Sequence, residues 1–306
     1  MARHWREYDD RLVKLGEEMF SGASGFLQLN IEKVKQELEE LNRGKVGRPY
    51  QYPRFIIQVG MGLSKFMPYR QASGALKGIF GFSPHYVTLR KRILKEYEHW
   101  DCREIREGYL FTLKDVEAGE YFIDSTGLAC SQTGEWRTIR FEEKRVRKWF
   151  KLHVLHDERG KIVAFAMTES RVSDSEVFEE LVRNLPPGAK VYGDRAYSSR
   201  KNYKIAKSRG IKIVSPPKKN FSSRRRGCKE LQQQVKLLKK YGYEKWSRIT
   251  GYFKRFAMKW VFSIFKRLFG EKFRAKSLET AFFAVLSSVM LFNTIVFHNI
   301  SAPKTN

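Results

Sequence analysis

The sequence predicts a chain in two parts: an all-α N-terminal region, then an α/β domain in which a mixed sheet is flanked by helices. Three observations carry this. Apolar residues recur at helical spacing up to about residue 98. From residue 119 short apolar runs separated by turn signals replace that period. Beyond residue 173 helix-like and strand-like segments alternate, the pattern of parallel strands joined by helices.

Residues 1–46 read as a charged helical segment. Within it IEKVKQELEELNRG (31–44) keeps Ile31, Val34, Leu38 and Leu41 on one face and ends at a glycine. GRPYQYP (47–53) is a Gly/Pro break. Residues 47–115 form a second helical region. There RQASGALKGIF, the turn GFSP and HYVTLRKRILKEY follow a helix–turn–helix pattern. The second helix carries Tyr86, Thr88, Arg90, Lys91 and Arg92, which offer bases to phosphates and short polar groups to base edges. An ordinary α-hairpin with a solvated basic face has the same local pattern, so both readings stand.

Residues 116–297 form the α/β domain. EYFIDSTGL reads as a strand ending in a turn. KWFKLHVLHD and GKIVAFAMTE read as a hairpin through the turn DERG. SDSEVFEELVRNL is a helix capped by Ser173 or Asp174. PPGAKVYGDRAYSS is turn, strand, turn; RKNYKIAKSRG is a helix closed by glycine; IKIVSPP is a short strand. The order β-β-β-α-β-α-β followed by a helix is that of an RNase H-like fold. A basic insertion at about 215–250 reads as a loop and a short helix suited to phosphate. AFFAVLSSVMLFNTIVF (281–297) falls short of the ~20 apolar residues of a membrane span, and Ser287, Ser288 and Asn293 interrupt it. A buried core helix is expected there, and no membrane partner. Fractionation without detergent separates this from a membrane-associated reading.

The bases are spread along the whole chain: Lys+Arg 59 against Asp+Glu 33, a net charge of +26. Such a charge repels itself and points to a polyanion, nucleic acid rather than a membrane surface. Cys102, Cys130 and Cys228 lie far apart and form no C-x-x-C pair, which excludes a zinc ribbon and suits a reducing cytosol. MARHWREYDDRL has no apolar segment of the kind a signal peptide needs.

Phosphodiester cleavage with metal ions needs carboxylates that converge from separate elements. Asp124 follows the apolar run Tyr121-Phe122-Ile123, and Asp194 follows Val191-Tyr192-Gly193. Both therefore sit where strands of an open α/β sheet present a site. Tyr252, Arg255, Lys259 and Lys266 are spaced by 3, 4 and 7, which on a continuous helix places them on one stripe.

FIDSTGL around Asp124, KLH at 151–153, GDRAYSS around Asp194 and the stripe from Tyr252 together resemble the DDE transposases of bacterial and archaeal insertion sequences. The upstream GRPYQYP, PYRQASG and TLRKR and the downstream VFSIFKRLFGEKFRAKS extend the resemblance over roughly 47–297. It implies an RNase H-like catalytic domain with Asp124 and Asp194 as metal-binding acids for Mg2+ or Mn2+. Tyr252 and Arg255 would orient the DNA backbone and Lys266 would contact a terminal phosphate. Arg90, Lys91 and Arg92 would bind DNA upstream. The implied partners are DNA (terminal inverted repeats and target) and a second copy of the chain on that DNA. The implied location is the cytoplasm of a prokaryotic cell, at the nucleoid.

One position departs from the family signature Y-x2-R-x3-E-x6-K: Lys259 stands where the third catalytic glutamate belongs. An ammonium has no lone pair and cannot ligate a metal. Glu271, 12 residues on, and Glu279 lie too far along a continuous helix to replace it. The expectation is a DNA-binding transposase impaired in cleavage. The alternative is a catalytically inactive, transposase-derived DNA-binding protein or repressor.

Overall fold

The computed structural model describes residues 31–64, 66–98, 101–131, 147–222, 228–257, 259–275 and 277–301. Residues 1–30, most of the expected N-terminal segment, lie outside them. The chain divides into two compact units, residues 1–96 with 294–306, and residues 97–293.

Among the described residues of the first unit the helices α1 (Ile31–Asn42), α2 (Arg54–Leu63), α3 (Tyr69–Phe80) and α4 (Tyr86–Glu98) follow one another. Ile56, Ile57, Leu76, Leu89 and Ile93 are fully buried and form its core. Gly60 allows the close approach of α2: a Cβ there would lie 2.6 Å from Leu89 Cδ1. The turn between α3 and α4 starts at Gly81, in the left-handed region at φ 75°, and Ser73 Oγ donates to the Pro84 carbonyl at 2.7 Å. The Gly/Pro break before α2 is pinned by Asn42, which both accepts from Tyr50 N (2.6 Å) and donates to Tyr50 O (3.0 Å).

Among the described residues the second unit is built on one mixed eight-stranded sheet. Its strands are β1 (Asp101–Ile105), β2 (Gly108–Thr112), β3 (Glu120–Ser131), β4 (Arg147–Asp157), β5 (Ile162–Glu169), β6 (Lys190–Gly193), β7 (Lys212–Val214) and β8 (Lys272–Arg274). The order is β1-β2-β5-β4-β3-β6-β7, with β8 also on β3. β1 through β5 pair antiparallel, whereas β6 and β8 run parallel to β3, and β7 to β6. This sheet flanked by helices is RNase H-like. Its strands begin at Asp101, inside the stretch expected to be helical. The β1–β2 turn contains Glu107 at φ 58°, a left-handed position held by a non-glycine, so no Asn-Gly or Asp-Gly signal marks it.

Helices α5 (Asp174–Leu181) and α6 (Arg200–Ser208) cover one face, where Tyr121, Ile123, Val177, Phe178 and Tyr203 share a core. Ser173 and Glu176 close a capping box at the start of α5, which resolves the choice of cap in favour of Ser173. On the other face Phe122, Tyr192, Val214, Trp246 and Tyr252 form a second, aromatic core. The alternation of β3 accounts for both: odd residues face α5 and α6, even residues the aromatic cluster.

α7 (Lys229–Thr250) is longer than the short helix expected, and Gly242 (φ 73°, ψ 173°) kinks it. α10 (Leu278–Ser301) contains the apolar run. Ala281, Phe282, Val285, Leu286, Val289 and Phe292 are buried, as a core helix requires. Asn293 clamps β5 by accepting from Ile162 N (2.8 Å) and donating to Ile162 O (2.9 Å). Among the described residues no helix is long and apolar enough to cross a membrane.

Candidate active site

Asp124 does not end its strand, as the sequence had suggested; β3 continues to Ser131. What singles it out is the edge beside it. β6 pairs with β3 over Glu120–Ile123 and β8 over Ala129–Ser131. Between them, among the described residues, that side of β3 has no strand partner, and Asp124 is the first residue of the gap. The register puts Ile123 beside Gly193, so Asp194 leaves β6 next to Asp124. The two acids of the sequence motifs are therefore neighbours.

Asp194 is fixed by its backbone. Its side chain caps a short 3-10 turn (Arg195–Tyr197) by accepting from Ala196 N at 2.8 Å. Ser215 Oγ, just past β7, donates to its carbonyl. Gly193 is needed for packing: a Cβ there would lie 2.9 Å from Ile123 Cγ2 and from Tyr197 Cδ2. The GDRAY motif thus drives the fully buried Tyr197 ring under the sheet and leaves Asp194 at its rim.

Asp124 accepts from Ser125 N at 3.0 Å and from Arg255 Nη2 at 2.7 Å. Its carboxyl titrates above the usual carboxylate range. Burial is the main cause; Arg255 opposes it, and the negative charges of Asp194 and Asp174 reinforce it. The acids thus add to one another's negative charge, and the Arg255 guanidinium offsets part of it.

The stripe from Tyr252 to Lys266 is not one helix. α7 stops at Gly251, in the left-handed region at φ 77°. The chain resumes as α8 (Lys254–Ala257) and α9 (Trp260–Phe269). The break has a physical cause: three cations tie this segment to the sheet. Lys190 Nζ donates to the Thr250 carbonyl at 3.0 Å, Lys254 Nζ to Glu120 Oε2 at 2.6 Å, and Arg255 to Asp124. Glu120 and Asp124 lie on the same face of β3, so residues one apart on α8 reach acids four apart on the strand.

The four stripe residues consequently have separate fates. Tyr252 is buried against Trp246, its ring 5.1 Å away, and burial pushes its hydroxyl up to about 12. It presents no surface and instead seats the segment that carries Arg255. Lys259 is exposed, with Nζ 5.2 Å over the Phe256 ring, and forms no ion pair among the described residues. Lys266 pairs with Glu271 at 2.9 Å. Gly270 (φ 76°) ends α9, and the Glu271 carbonyl accepts from Ala129 N. Glu271 therefore sits five residues along β3 from Asp124, ~17 Å at strand spacing, too far to complete the site.

In the first unit Arg90 and Lys91 are exposed. Arg92 is buried instead: its guanidinium donates to the Tyr52 carbonyl and lies 4.4 Å over the Tyr50 ring. The helical period explains the difference, because Arg92 is three residues after Leu89 and shares its inward face.

Sequence reasoning took Asp174 only as a possible helix cap. In the structure its Oδ1 is buried, 3.3 Å from Lys151 Nζ and 3.4 Å from His153 Nδ1. His153, fully buried, is held neutral: burial lowers its pKa to about 4, against the pull of Asp174. KLH at 151–153, whose role the sequence left open, is thus the strand segment that meets this acid. Among the described residues no three His, Cys, Asp or Glu side chains converge closely enough to hold one metal ion together.

This chain belongs to the transposase DDE domain family, whose model matches residues 118–294. Two solved structures are also similar. One is a chain of the simian T-cell lymphotropic virus intasome in complex with PP2A regulatory subunit B56 gamma. It is 13% identical with a TM-score of 0.22, over 62% of this chain and 62% of that one. The other is the Mos1 transposase paired-end complex with left transposon end, 10% identical with a TM-score of 0.24, over 95% of this chain and 92% of that one. Likeness at these scores carries nothing further about this chain.

Proposed function

We propose that the protein is an insertion-sequence transposase that binds the DNA of element ends and is impaired in cutting it. The observation that carries the reading is the juxtaposition of Asp124 and Asp194 at the gap in the edge of β3, with Arg255 already on Asp124. Two adjacent carboxylates form an oxygen-only donor set, which suits a hard divalent cation such as Mg2+ or Mn2+ that retains several waters. The register that sets Asp194 beside Asp124 supports a site for one such ion. When bound, the cation would activate a water or 3′-hydroxyl for attack on a phosphodiester.

The chain's own residues do the rest. Arg255 orients a scissile phosphate by exchanging its carboxylate partner for phosphate oxygens. Lys266, paired with the exposed Glu271, exchanges in the same way for a terminal phosphate. Arg90, Lys91 and the basic stretch before α7 hold duplex DNA, terminal repeats and target alike. Joining two ends calls for a homodimer on DNA, in the cytoplasm at the nucleoid. Lys259 occupies the position of the third acid and cannot ligate, which is the source of the impairment.

The test is cleavage of DNA bearing the element's ends with Mg2+ or Mn2+, comparing this chain with Lys259→Glu. Cutting by the Glu variant alone is the expected result. Equal cutting by both would mean that residue 259 is not the position of the missing acid.

The Arg255–Asp124 pair favours a second reading, a transposase-derived repressor. Arginine neutralises the acid without metal, so specific binding to repeat ends would persist in EDTA. Binding that is only non-specific and steeply salt-dependent would end this reading.

A further inference from the structure

We propose that Asp174, with the Tyr197 hydroxyl, forms the outer shell of the cation site, holding through water the ion that Asp124 and Asp194 bind directly. This rests on the metal-site reading above and adds a third carboxylate to it, one that the motif signature does not contain.

Topology brings Asp174 there. β5 runs parallel to β3, so α5, which follows it, begins at the end of the sheet where Asp124 and Asp194 lie. The first turn of α5 is then stitched to the turn after Asp194. Ser175 Oγ donates to Ser199 Oγ at 3.2 Å, and Asn202 Nδ2 lies 3.0 Å from both Ser175 Oγ and the Tyr197 carbonyl. On its other side Asp174 meets His153, which β4 places opposite Ser125, the neighbour of Asp124. Asp174 therefore lies between β4, the strand paired with the one that carries Asp124, and the turn that follows Asp194.

Tyr197 supplies an independent observation. Its side chain is fully buried, and among the described residues its hydroxyl has no hydrogen-bond partner. A buried hydroxyl without a partner is costly, and such groups call for an explanation. Burial raises the Tyr197 pKa most; the charges of Asp174, Asp124 and Asp194 add to this and Arg255 opposes it. Asp174 Oδ1 is likewise buried and accepts no well-formed hydrogen bond, despite its ion-pair contacts. A hydroxyl and a carboxylate oxygen left open beside two candidate ligands are what a hydrated ion's waters would bind. Mg2+ in particular keeps several waters. Among the described residues the three acids do not form a three-ligand metal site, so Asp174 would act through water.

Lys151 makes the proposal separable from a purely structural role, because it occupies Asp174 in the absence of an ion. Mn2+ binding is measured by electron paramagnetic resonance on the full chain without DNA, with thermal midpoints as a folding control. Asp124→Asn should abolish the site. Asp174→Asn should weaken Mn2+ roughly tenfold, as loss of an outer-shell partner does, and Tyr197→Phe should weaken it to a lesser degree. Lys151→Met should leave the affinity unchanged or tighten it, whereas a structural role for Asp174 predicts that Lys151→Met weakens it as Asp174→Asn does. Mn2+ binding that Asp124→Asn removes and Asp174→Asn does not alter would overturn this proposal alone. If no Mn2+ binding depends on Asp124, the metal-site reading and this proposal fall together.

Discussion

Arg255 Nη2 donates to Asp124 Oδ2 at 2.7 Å, the guanidinium almost buried and the carboxylate about one-third exposed. A single arginine thus occupies the carboxylate that the site would offer to a cation, and it does so from a four-residue helix set apart by a left-handed glycine. Arginine and metal are alternatives at Asp124, with consequences for both.

Arg255→Ala should leave Asp124 without its counter-charge. Removing one member of a largely buried pair costs on the order of 2–4 kcal/mol, since the remaining charge stays desolvated. Millimolar Mg2+ should then raise the melting temperature of the variant more than that of the parent. Equal shifts in the two proteins would show that Arg255 does not compete with the ion.

His156 is buried beneath the same site, its ring stacked on Phe122 at 5.5 Å. Burial is the largest cause of its depressed pKa, about 4 against an ordinary 6.5, and Arg255 adds to it. The unfolded chain therefore binds more protons between these values. Stability is present above pH 6.5 and is lost as the pH falls toward 4, by on the order of 3 kcal/mol for this one group. Asp124, whose pKa is raised, works in the opposite sense lower in the range. Denaturant midpoints between pH 7 and pH 5 should fall in the parent and fall less steeply in His156→Leu, where His153, also lowered to about 4, keeps part of the slope.

Gly193→Ala should cost about 1–3 kcal/mol, the usual penalty for overpacking, because its Cβ would meet Ile123 and Tyr197 at 2.9 Å. The loss should appear in chemical denaturation. An unperturbed midpoint would mean that the Tyr197 ring can yield.

The three bases of α4 should separate in DNA titrations. Arg90→Ala and Lys91→Ala should each lower the salt slope of binding by about 0.9 while leaving the melting temperature alone. Arg92→Ala should do the reverse, since its guanidinium is committed to Tyr50 and Tyr52. A lowered salt slope for Arg92→Ala would show that this arginine leaves its buried place when DNA binds.

Much of this was legible in the chain. Apolar runs around Ile123, Val154 and Phe165, the last two separated by the turn DERG, mark the central antiparallel strands. Asp124 and Asp194 stand out because each follows an apolar run. Asp174 did not, since a residue at the start of a helix reads as a cap whatever lies across from it. The β1–β2 hairpin escaped as well, because Glu107 holds a conformation that glycine or asparagine normally signals.

The sequence by itself determined the α/β order, the two acids at their strands and the excess of positive charge, all consequences of local periodicity and composition. Only the tertiary structure decided that the Tyr252–Lys266 stripe breaks at Gly251, that Tyr252 and Arg92 turn inward, and that the charge of Asp174 acts on Asp124. The reason is physical. Helical spacing assumes a continuous backbone, and here that backbone gives way to long-range ties: Lys190 to Thr250, Lys254 to Glu120 and Arg255 to Asp124. Such ties join residues 60 or more apart, and no local pattern records them.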